Sequence, residues 1–406
     1  MAKYNVLLVL NTLQKKVIIA GKYDVTVMGL IWVIVGFLCS IKEVVFHSIN
    51  NYQIFNGVYW HTILQLNLYS AYPAEYFDVN HYGPIFSIII APFALLPIKV
   101  GAVAWCAANT LILYFAIMKL PVSSKAKVII LLVCLVEFTI SIQNMQANPL
   151  VASLLIFTFL LIEKKQDFWA TLLIVIGFLM KVYGIVGLLF FMFSKRKLTF
   201  IVSFVGWFLL LFALPMVLSS PTYIVQCYHH WYQVLVEKNL QNSTSLMQNI
   251  SVQGMLTRIT GITVGINTYV LPAAAIALLL PLLRIKQYKY PLYKLTYLCI
   301  LLITTVLYST SAESSTYIIA IVGTAIAYTL YPSNKYTIGF LLFYVLLTSI
   351  SSGDLFPIYV REHYIRPYSL KALPSAIVWL MLLIQLYTTN FATITVRNYN
   401  HTLAND

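Results

Sequence analysis

The stretch NNYQIFNGVYWHTILQLNLYSAYPAEYFDVNHYGPIFSIIIAPFALL, residues 50–96, changes from a polar, aromatic-rich segment into an apolar run at Gly83 and Pro84. Its polar part holds Glu75, Asp78 and His81 close together. Carboxylates that apolar walls shield from water can be tuned into general bases. They can also cap the helix that follows Pro84 or pair with an arginine. We predict that this segment forms most of an active site at a membrane surface.

The composition explains why a polar segment stands out in this chain. Of its 406 residues, 60% are hydrophobic and 9% are charged, and the mean hydropathy is +0.84. Soluble domains carry roughly 25% charged residues. Apolar runs that are long enough to cross a bilayer recur from end to end, which predicts an all-α polytopic membrane protein of about 10–12 transmembrane helices. No stretch is polar enough for a separate soluble domain, so residues 1–406 are expected to form a single integral membrane domain.

The formal net charge of +14 has a simple interpretation in such a chain. Lysines and arginines gather in short loops, as the positive-inside bias predicts for cytoplasmic loops, so nucleic acid is not an expected partner. The N-terminus carries several lysines, including Lys22, and is expected in the cytoplasm. No cleaved signal peptide is expected, and the first span, Val25–Ile41, would be the anchor. The five cysteines show neither metal-site spacing nor a disulfide framework.

Counting basic clusters places the polar loops 43–83, 219–265 and 351–373 on the outer face and the C-terminal tail in the cytoplasm. Two apolar blocks lie between Pro84 and Leu120. The count allows only an odd number of crossings there, so either one block is re-entrant or interfacial or one basic cluster breaks the rule. Phe168–Phe193 begins and ends inside and is expected to form two short helices, with Lys181 near their outer turn.

Lys181 interrupts an apolar stretch, FLMKVYG. An ammonium group deep in a membrane costs about 2.5 kcal/mol or more and therefore usually has a partner or ligand, for which a phosphate is well suited. The alternative is that Lys181 extends to the interface. In the third loop, Arg361 and Arg366 lie beside His363, a pattern that fits a phosphate clamp or contacts with anionic lipid headgroups.

Other polar residues are weaker candidates. Gln143 and Asn148 could bind a polar ligand or cap helices, and Glu313 stands alone between two apolar segments. Glu137 falls within a span, close enough to its outer end for the carboxylate to reach the interface. The sequence contains no Walker motif, no GxGxxG, no HExxH and no nucleophile elbow, which disfavours ATP-driven transport and soluble-type hydrolysis.

Five stretches of the chain form a recognisable series: Asn67–Tyr69 with His81–Pro84 and Ala91–Pro97, then Trp105–Asn109, Gln143–Leu150, Phe178–Tyr183 and Gln248–Gly254. In their order and spacing, they resemble glycosyltransferase family 87, the GT-C-type membrane enzymes that include mycobacterial α-mannosyltransferases. The resemblance implies a helical bundle with large outer-face loops. It also implies transfer of a hexose, such as mannose, from a polyprenyl phosphate to a lipid or glycan acceptor. The membrane that we expect is the bacterial plasma (inner) membrane.

By this resemblance, Lys181 would hold the donor phosphate with His81, Arg361 and Arg366, while Asp78 first and Glu75 second would deprotonate the acceptor, with inversion. The polar lining would comprise Gln143, Asn148, Glu313 and Asn51. The sequence departs from the family pattern at two of these positions. Asn51 stands where the family has an early acid, and Ser314 follows Glu313 where the family has a histidine.

No metal ligands are predicted; a divalent cation is possible, but no residue cluster requires one. Membrane lipids are further expected partners. Two rival functions remain open at this point. A lipid-linked saccharide transporter or flippase would need polar groups along a path through the bilayer, and the chain shows no obvious inverted repeat. A degenerate scaffold that binds polyprenyl phosphate without turnover is favoured by the amide at Asn51.

Overall fold

A computed structural model describes residues 2–19, 23–242, 245, 248–262, 266–351, 353 and 356–393. Lys22, small parts of the second and third predicted loops and the C-terminal tail from residue 394 lie outside the described residues. The described chain is mostly helical. Its one sheet is a hairpin of β1 (Lys16–Ile19) and antiparallel β2 (Tyr23–Thr26), in which Lys16 pairs with Thr26.

The helices of the described residues succeed one another along the chain, with a long polar segment between the third and the fourth. They are α1 Ala2–Gln14, α2 Val27–Val45, α3 Asn50–Leu64, α4 Phe86–Ala94, α5 Ile98–Lys119, α6 Ser124–Gln143, α7 Asn148–Glu163, α8 Asp167–Lys181, α9 Lys197–Ala213, α10 Pro221–Asn242, α11 Val252–Thr260, α12 Ile266–Leu279, α13 Pro291–Leu307, α14 Tyr317–Leu330, α15 Lys335–Tyr344, α16 Ile358–Val360 and α17 Ala372–Thr388. The 3-10 segments are Tyr183–Phe193, Leu214–Val217, Leu280–Leu283, Ile285–Gln287 and Ser314–Thr316, and the π-helical ones are Val345–Ile350 and Arg361–Ile365.

Within the described ranges, 5 helices are long and apolar enough to cross a membrane: Val27–Val45, Ile98–Lys119, Ser124–Gln143, Lys197–Val217 and Ile266–Leu283. Further apolar helical segments are shorter: Asn148–Glu163, Tyr183–Phe193, Pro291–Leu307, Ser314–Leu330, Lys335–Ile350 and Ala372–Thr388. The prediction of an all-α polytopic membrane protein is confirmed. How many of these segments cross the bilayer remains a prediction.

The two apolar blocks after Pro84 differ in length. Helix α5 has 22 residues, enough for about 33 Å. Helix α4 has 9 residues with Pro92 inside it, so it extends only about 14 Å against a hydrocarbon core of about 30 Å. Of the two blocks, α4 is therefore the one that fits a re-entrant or interfacial position.

The second predicted outer loop, 219–265, contains more regular structure than a loop. Helix α10 (Pro221–Asn242) occupies about half of it, and α11 (Val252–Thr260) follows with Ser251 as its N-cap. The side chain of Ser251 accepts a hydrogen bond from the backbone N–H of Gly254 at 3.0 Å, which satisfies a free donor of the first turn. The outer position of this segment stays a prediction.

The chain divides into two compact units. Unit 1 comprises residues 1–32, 117–138 and 241–406, and unit 2 comprises residues 33–116 and 139–240. The core of unit 1 is formed by α13 and α14, which are buried along nearly their whole length. Gly323 of α14 allows their close approach, because a Cβ at this position would lie 2.6 Å from the carbonyl oxygen of Cys299.

Glu137 in unit 1 corrects a prediction. Its side chain is fully buried and its Oε1 accepts a hydrogen bond from Lys371 Nζ at 2.8 Å, so it does not extend to the interface. The ammonium group of Lys371 also donates to Ser314 Oγ at 2.8 Å and lies 5.0 Å from the ring centre of Tyr317. Burying the charged carboxylate of Glu137 costs so much free energy that it requires a countercharge. No pattern in the sequence indicates that Lys371 supplies it.

In the first part of the first loop, residues 44–68, apolar residues recur at helical spacing (Val45, Ile49, Tyr52 and Phe55), which predicts a helix lying on the membrane surface. In unit 2, α3 lies in this part of the chain and packs against α4. Tyr52 and Phe55 are buried, as is Ile49 just before the helix, whereas Val45 is exposed. The hydroxyl of Tyr52 donates to the carbonyl of Phe93 at 2.8 Å. The helix in this part of the first loop is therefore present, and much of its apolar face contacts protein. Whether α3 also lies on the membrane surface remains a prediction.

Candidate active site

Three asparagines order the polar segment that follows α3. Asn50 makes two hydrogen bonds with the backbone of Phe77, donating to its carbonyl at 2.9 Å and accepting from its N–H at 2.7 Å. Asn80 does the same with Tyr82, at 3.0 and 2.9 Å, and Asn67 accepts from the N–H of Tyr69 at 3.0 Å. Asparagine side chains that substitute for backbone partners are typical of turns. They give this loop a defined shape without regular secondary structure.

The end of the loop is joined to the end of α8. The N–H of Gly83 donates to the carbonyl of Met180 at 3.0 Å. A Cβ on Gly83 would lie 2.0 Å from the carbonyl oxygen of Leu179 and 3.0 Å from the Trp231 ring, so only glycine allows this approach. Trp231 of α10 covers the junction and donates from Nε1 to the carbonyl of His81 at 2.9 Å. The first loop, α8 and α10 thus meet beside His81 and Lys181, two of the site residues predicted from the sequence.

Lys181 ends α8 at this junction. Its Nζ donates to Oδ1 of the buried Asn148 at 3.0 Å, and it lies 5.3 Å from the ring centre of Tyr82 and 5.2 Å from that of Tyr183. The aromatic faces stabilise the cation. Helix α8 stops here because Val182 has φ +56°, which is unusual for a β-branched residue. The predicted break between two short helices is confirmed, and Lys181 and Asn148 are brought together.

His81 lies in an electropositive environment. Burial lowers its pKa from 6.5 to about 4; the charges of Lys238 and Lys181 act in the same direction, while Asp78 and a hydrogen bond to the backbone of Val79 oppose the shift. The imidazole is therefore neutral at pH 7, and the positive charge of this site comes from the two lysines. An imidazole that stays neutral beside two ammonium groups can hydrogen-bond an oxyanion or a hydroxyl.

Asp78 is 56% exposed, and its Oδ2 lies 3.9 Å from Nζ of Lys238. Its Oδ1 accepts from the N–H of Val79 at 2.8 Å, and its φ is +70°. Lys238 is a site residue that the sequence analysis missed. The available signal was a lysine within an otherwise aromatic and polar helix of the second loop, but its partner lies far away in the sequence.

Glu75, the other predicted carboxylate, pairs with His61 instead. Its Oε2 lies 3.0 Å from Nε2 of His61, which is 4% exposed, whereas Glu75 is 51% exposed. The other ring nitrogen of His61 lies 3.5 Å from the hydroxyl of Tyr76, and the Tyr72 ring lies 4.1 Å from the imidazole, centre to centre. A buried histidine therefore holds an accessible carboxylate in place. The sequence analysis did not select His61.

The polar residues between α6 and α7 surround the same part of unit 2. Asn51 donates from Nδ2 to the carbonyl of Asn144 at 2.8 Å, a contact that an aspartate could not make because a carboxylate has no donor. Gln146 accepts from the hydroxyl of Tyr82 at 3.1 Å. Gln143 ends α6 and is partly exposed. Asn51 thus connects the start of α3 with this turn, and nothing in its contacts resembles an acid–base group.

The remaining predicted residues belong to unit 1. Glu313 precedes the 3-10 turn Ser314–Thr316, whose first backbone groups it caps, and accepts from Gln248 at 3.5 Å. Arg361 and Arg366 both bind the carboxylate of Glu362, at 3.0 and 2.6 Å, and Arg361 also donates to the carbonyl of Gly353 at 2.9 Å. These guanidinium groups already have an acidic partner.

The described residues contain no group of three or more His, Cys, Asp or Glu side chains that could hold a metal ion. His229 and His230 are neighbours on α10, with ring centres 6.2 Å apart. The polar groups that the structure brings together in unit 2 can instead bind an anion through Lys181 and Lys238 and exchange a proton through Asp78.

An all-helical chain with several apolar segments of membrane length and a lysine-lined polar site defines a polytopic membrane protein. It belongs to glycosyltransferase family 87, whose family model matches residues 80–310, more than half of the chain. The resemblance drawn from the sequence motifs is confirmed, and the protein is a membrane glycosyltransferase. No curated protein matches the chain.

Proposed function

We propose that the protein transfers a hexose, foremost mannose, from a polyprenyl phosphate to a lipid or glycan acceptor on the outer face of a bacterial plasma membrane. The observation that carries the proposal is the cluster of Lys181, Lys238, His81 and Asp78. It combines two cations, a neutral imidazole and a carboxylate, and these are the groups that a sugar phosphate and an attacking hydroxyl require.

The donor phosphate would lie against the two ammonium groups. As the bond between the anomeric carbon and the phosphate oxygen breaks, negative charge develops on that oxygen. Cations held in a partly desolvated site stabilise this charge without reorganisation, and such electrostatic stabilisation contributes strongly to enzymatic rates. Lys181 is held by Asn148 and two aromatic rings, so its position is fixed before the donor binds. Arg361 and Arg366 remain secondary candidates for the phosphate.

Asp78 would take the proton of the acceptor hydroxyl while its oxygen attacks the anomeric carbon from the face opposite the leaving phosphate, with inversion. The bond to the acceptor oxygen forms, the bond to the phosphate oxygen breaks, and the polyprenyl phosphate leaves with the bonding electrons. Glu75 is the second candidate for the base, since His61 orients its exposed carboxylate. Gln143, Asn148, Asn51 and Glu313 would contribute to polar lining in their respective units.

The test is transfer by the purified protein from a panel of polyprenyl phosphate hexoses, with the anomeric configuration of the product read by NMR. Asp78→Asn is the sharpest variant, because asparagine also tolerates positive φ and leaves the backbone unchanged. We expect it to lower kcat by a factor of about 100 or more, as loss of a general base does, with donor affinity retained.

The matched variants separate binding from chemistry. Lys181→Ala and Lys238→Ala should weaken donor binding, whereas Lys99→Ala, which removes an exposed lysine of the same unit, should not. Glu75→Gln tests the second base. Full turnover in Asp78→Asn, Glu75→Gln and Lys181→Ala together would refute the assignment. Donor binding without turnover for any donor would indicate the scaffold, and movement of an intact lipid-linked saccharide across vesicles would indicate a flippase.

A further inference from the structure

A groove of about 580 Å³ lies along α9 of unit 2. It is lined by Phe168, Leu198, Thr199, Val202, Ser203, Gly206, Trp207 and Leu210. Gly206 forms its floor: a Cβ there would meet no atom within 4 Å. From Leu198 to Leu210 the groove follows α9 for about 18 Å.

The walls of the groove are apolar and face outward. Leu198, Val202 and Leu210 are 75%, 63% and 53% exposed, in a segment of membrane length, Lys197–Val217, whose most apolar window is only 22% buried. Trp207 and Phe168 form one wall, with ring centres 4.9 Å apart, and the indole donates to the carbonyl of Phe168 at 2.9 Å. Because the indole N–H is already bonded, the wall presents only carbon to an occupant.

A basic cluster lies at the start of α9, next to the groove. Lys195 and Arg196 are exposed, and the structure gives neither side chain a partner among the residues that it describes. Lys197, which contacts the carbonyl and ring of Phe191, adds a third positive charge, which the nearby buried carboxylate of Asp167 partly offsets. The apolar groove, which lies on a helix of membrane length, fits the acyl chain of an anionic lipid. The cations at one end of the groove, Lys195 and Arg196, fit its negatively charged headgroup.

We infer that this groove binds an anionic glycerophospholipid of the bilayer, with the phosphate at Lys195 and Arg196 and an acyl chain over Gly206 against Trp207. The polyprenyl phosphate donor is a poorer fit, because Lys181 lies at the end of α8, whereas the basic cluster lies near the start of that helix, where Asp167 is close enough to act on the charge of Lys197. Those ends are separated by a helix of 15 residues, or about 22 Å. The inference does not depend on the proposed reaction.

The groove can be filled from Gly206. A Cβ at this position would meet no atom within 4 Å, so Gly206→Phe directs its ring into the groove that Gly206 lines, and Gly206→Ala leaves the groove open. Gly339→Phe is a matched control on α15, because its Cβ would also meet nothing within 4 Å. Lys195→Gln with Arg196→Gln removes the two free charges and leaves the walls intact.

The experiment is native mass spectrometry of the detergent-purified protein, titrated separately with dioleoylphosphatidylglycerol, dioleoylphosphatidylcholine and undecaprenyl phosphate. Phosphatidylglycerol should occupy one site more tightly than phosphatidylcholine. Gly206→Phe should abolish that site, while Gly206→Ala and Gly339→Phe should retain it. The double glutamine variant should bind phosphatidylglycerol about thirtyfold more weakly, at roughly 1 kcal/mol for each cation, and lose its preference over phosphatidylcholine.

Three outcomes would overturn the inference: equal affinity for the two glycerophospholipids, unchanged occupancy in Gly206→Phe, or preferential binding of undecaprenyl phosphate at this site. Thermal unfolding of each variant checks that it is folded. The readout is lipid occupancy, so failure of the glycosyl-transfer assay and failure of this inference are separate results.

Discussion

His81 and Val182 are the two residues of the site whose state departs furthest from what their type would predict. His81 is a neutral imidazole because burial and two lysine charges act on it together. Val182 adopts a left-handed backbone that glycine would favour. Sparsely populated backbone conformations cost about 1–3 kcal/mol and cluster at functional sites. His81 lies near Lys181 in space, and Val182 follows Lys181 in the sequence. Both unusual residues are therefore close to the site proposed for the donor phosphate.

Acidification should destabilise the protein through His81. Its pKa is lowered in the folded state, from 6.5 to about 4, so between these values the unfolded chain binds a proton that the folded chain does not. The stabilisation is complete above pH 6.5 and is lost as the pH falls towards 4. His81→Gln should therefore unfold with a flatter pH dependence over this window, measured by thermal unfolding in detergent. His229→Gln, at an exposed position, should keep the wild-type profile.

Val182→Gly should separate stability from activity. Glycine adopts φ +56° without strain, so the free energy of unfolding should rise by about 1 kcal/mol. The turn that positions Lys181 would become more flexible, so transfer should decline. Chemical unfolding and initial rates measure the two effects. Val182→Ala relieves only the part of the strain that comes from β-branching, so its changes should be smaller than those of the glycine variant; an unchanged unfolding free energy in the glycine variant would mean that the turn stores no strain.

At the scale of elements, the site depends on how the first loop meets α8. The contact is a backbone approach: Gly83 N–H to Met180 carbonyl, with no room for a side chain. Such contacts fix the ends of two elements more precisely than side-chain packing, because backbone atoms cannot change rotamer. Trp231 of α10 then closes over the junction.

Gly83→Ala should disrupt this junction. Its Cβ would lie 2.0 Å from the Leu179 carbonyl oxygen, so the loop must move away from Lys181. We expect a loss of stability of about 1–3 kcal/mol, typical of overpacking, together with loss of transfer. Gly206→Ala serves as the control, since its Cβ is free of contacts. Wild-type activity in Gly83→Ala would show that the junction does not position the site.

The sequence allowed several of these elements to be predicted, and the reason is physical. Where an apolar run ends in polar or charged residues, the helix ends within a few residues: the first span was expected at Val25–Ile41 and α2 covers Val27–Val45. Helix α10 was expected as part of a loop, because its mixture of aromatic and polar residues lacks the apolar run of a span. The break after Lys181 was predicted because the count of basic clusters makes Phe168–Phe193 begin and end on the same side of the membrane, which requires a turn between two short helices.

Pairings between distant residues could not be predicted in this way. The pairing of Lys238 with Asp78, and that of His61 with Glu75, depend on how the chain brings distant segments together. The periodicity of apolar residues in the sequence contains no information about that arrangement. A carboxylate inside a span indicates that a partner exists but does not identify it. For this reason the sequence suggested Asp78, Glu75 and Lys181 as site candidates and left their electrostatic partners unassigned.

At the scale of the whole molecule, the buried pair of Glu137 and Lys371 joins parts of unit 1 that are far apart in the chain. Both side chains are almost completely buried, at 0% and 3% exposure. Removing one member of such a pair typically costs 3–5 kcal/mol, because the other charge is left uncompensated, whereas replacing both by apolar residues can be neutral.

Lys371→Met should therefore lower the free energy of unfolding by about 3–5 kcal/mol, and Glu137→Leu with Lys371→Met should recover most of that loss. Unfolding of the single and double variants in detergent measures the difference. Arg366→Ala breaks an exposed pair with Glu362 and should change stability by no more than about 1 kcal/mol. A double variant as unstable as the single one would show that the charges themselves are needed.

The same pair has a consequence for how the protein is made. Glu137 and Lys371 are separated by 234 positions. A ribosome that adds about 5–20 residues per second needs roughly 10–50 s to synthesise that length. Throughout this interval the nascent chain carries an acidic side chain on α6 whose countercharge does not yet exist. A polypeptide released before Lys371 never acquires it, so this ion pair distinguishes a completed chain from a truncated one, and truncated products should be the ones that cellular proteases degrade.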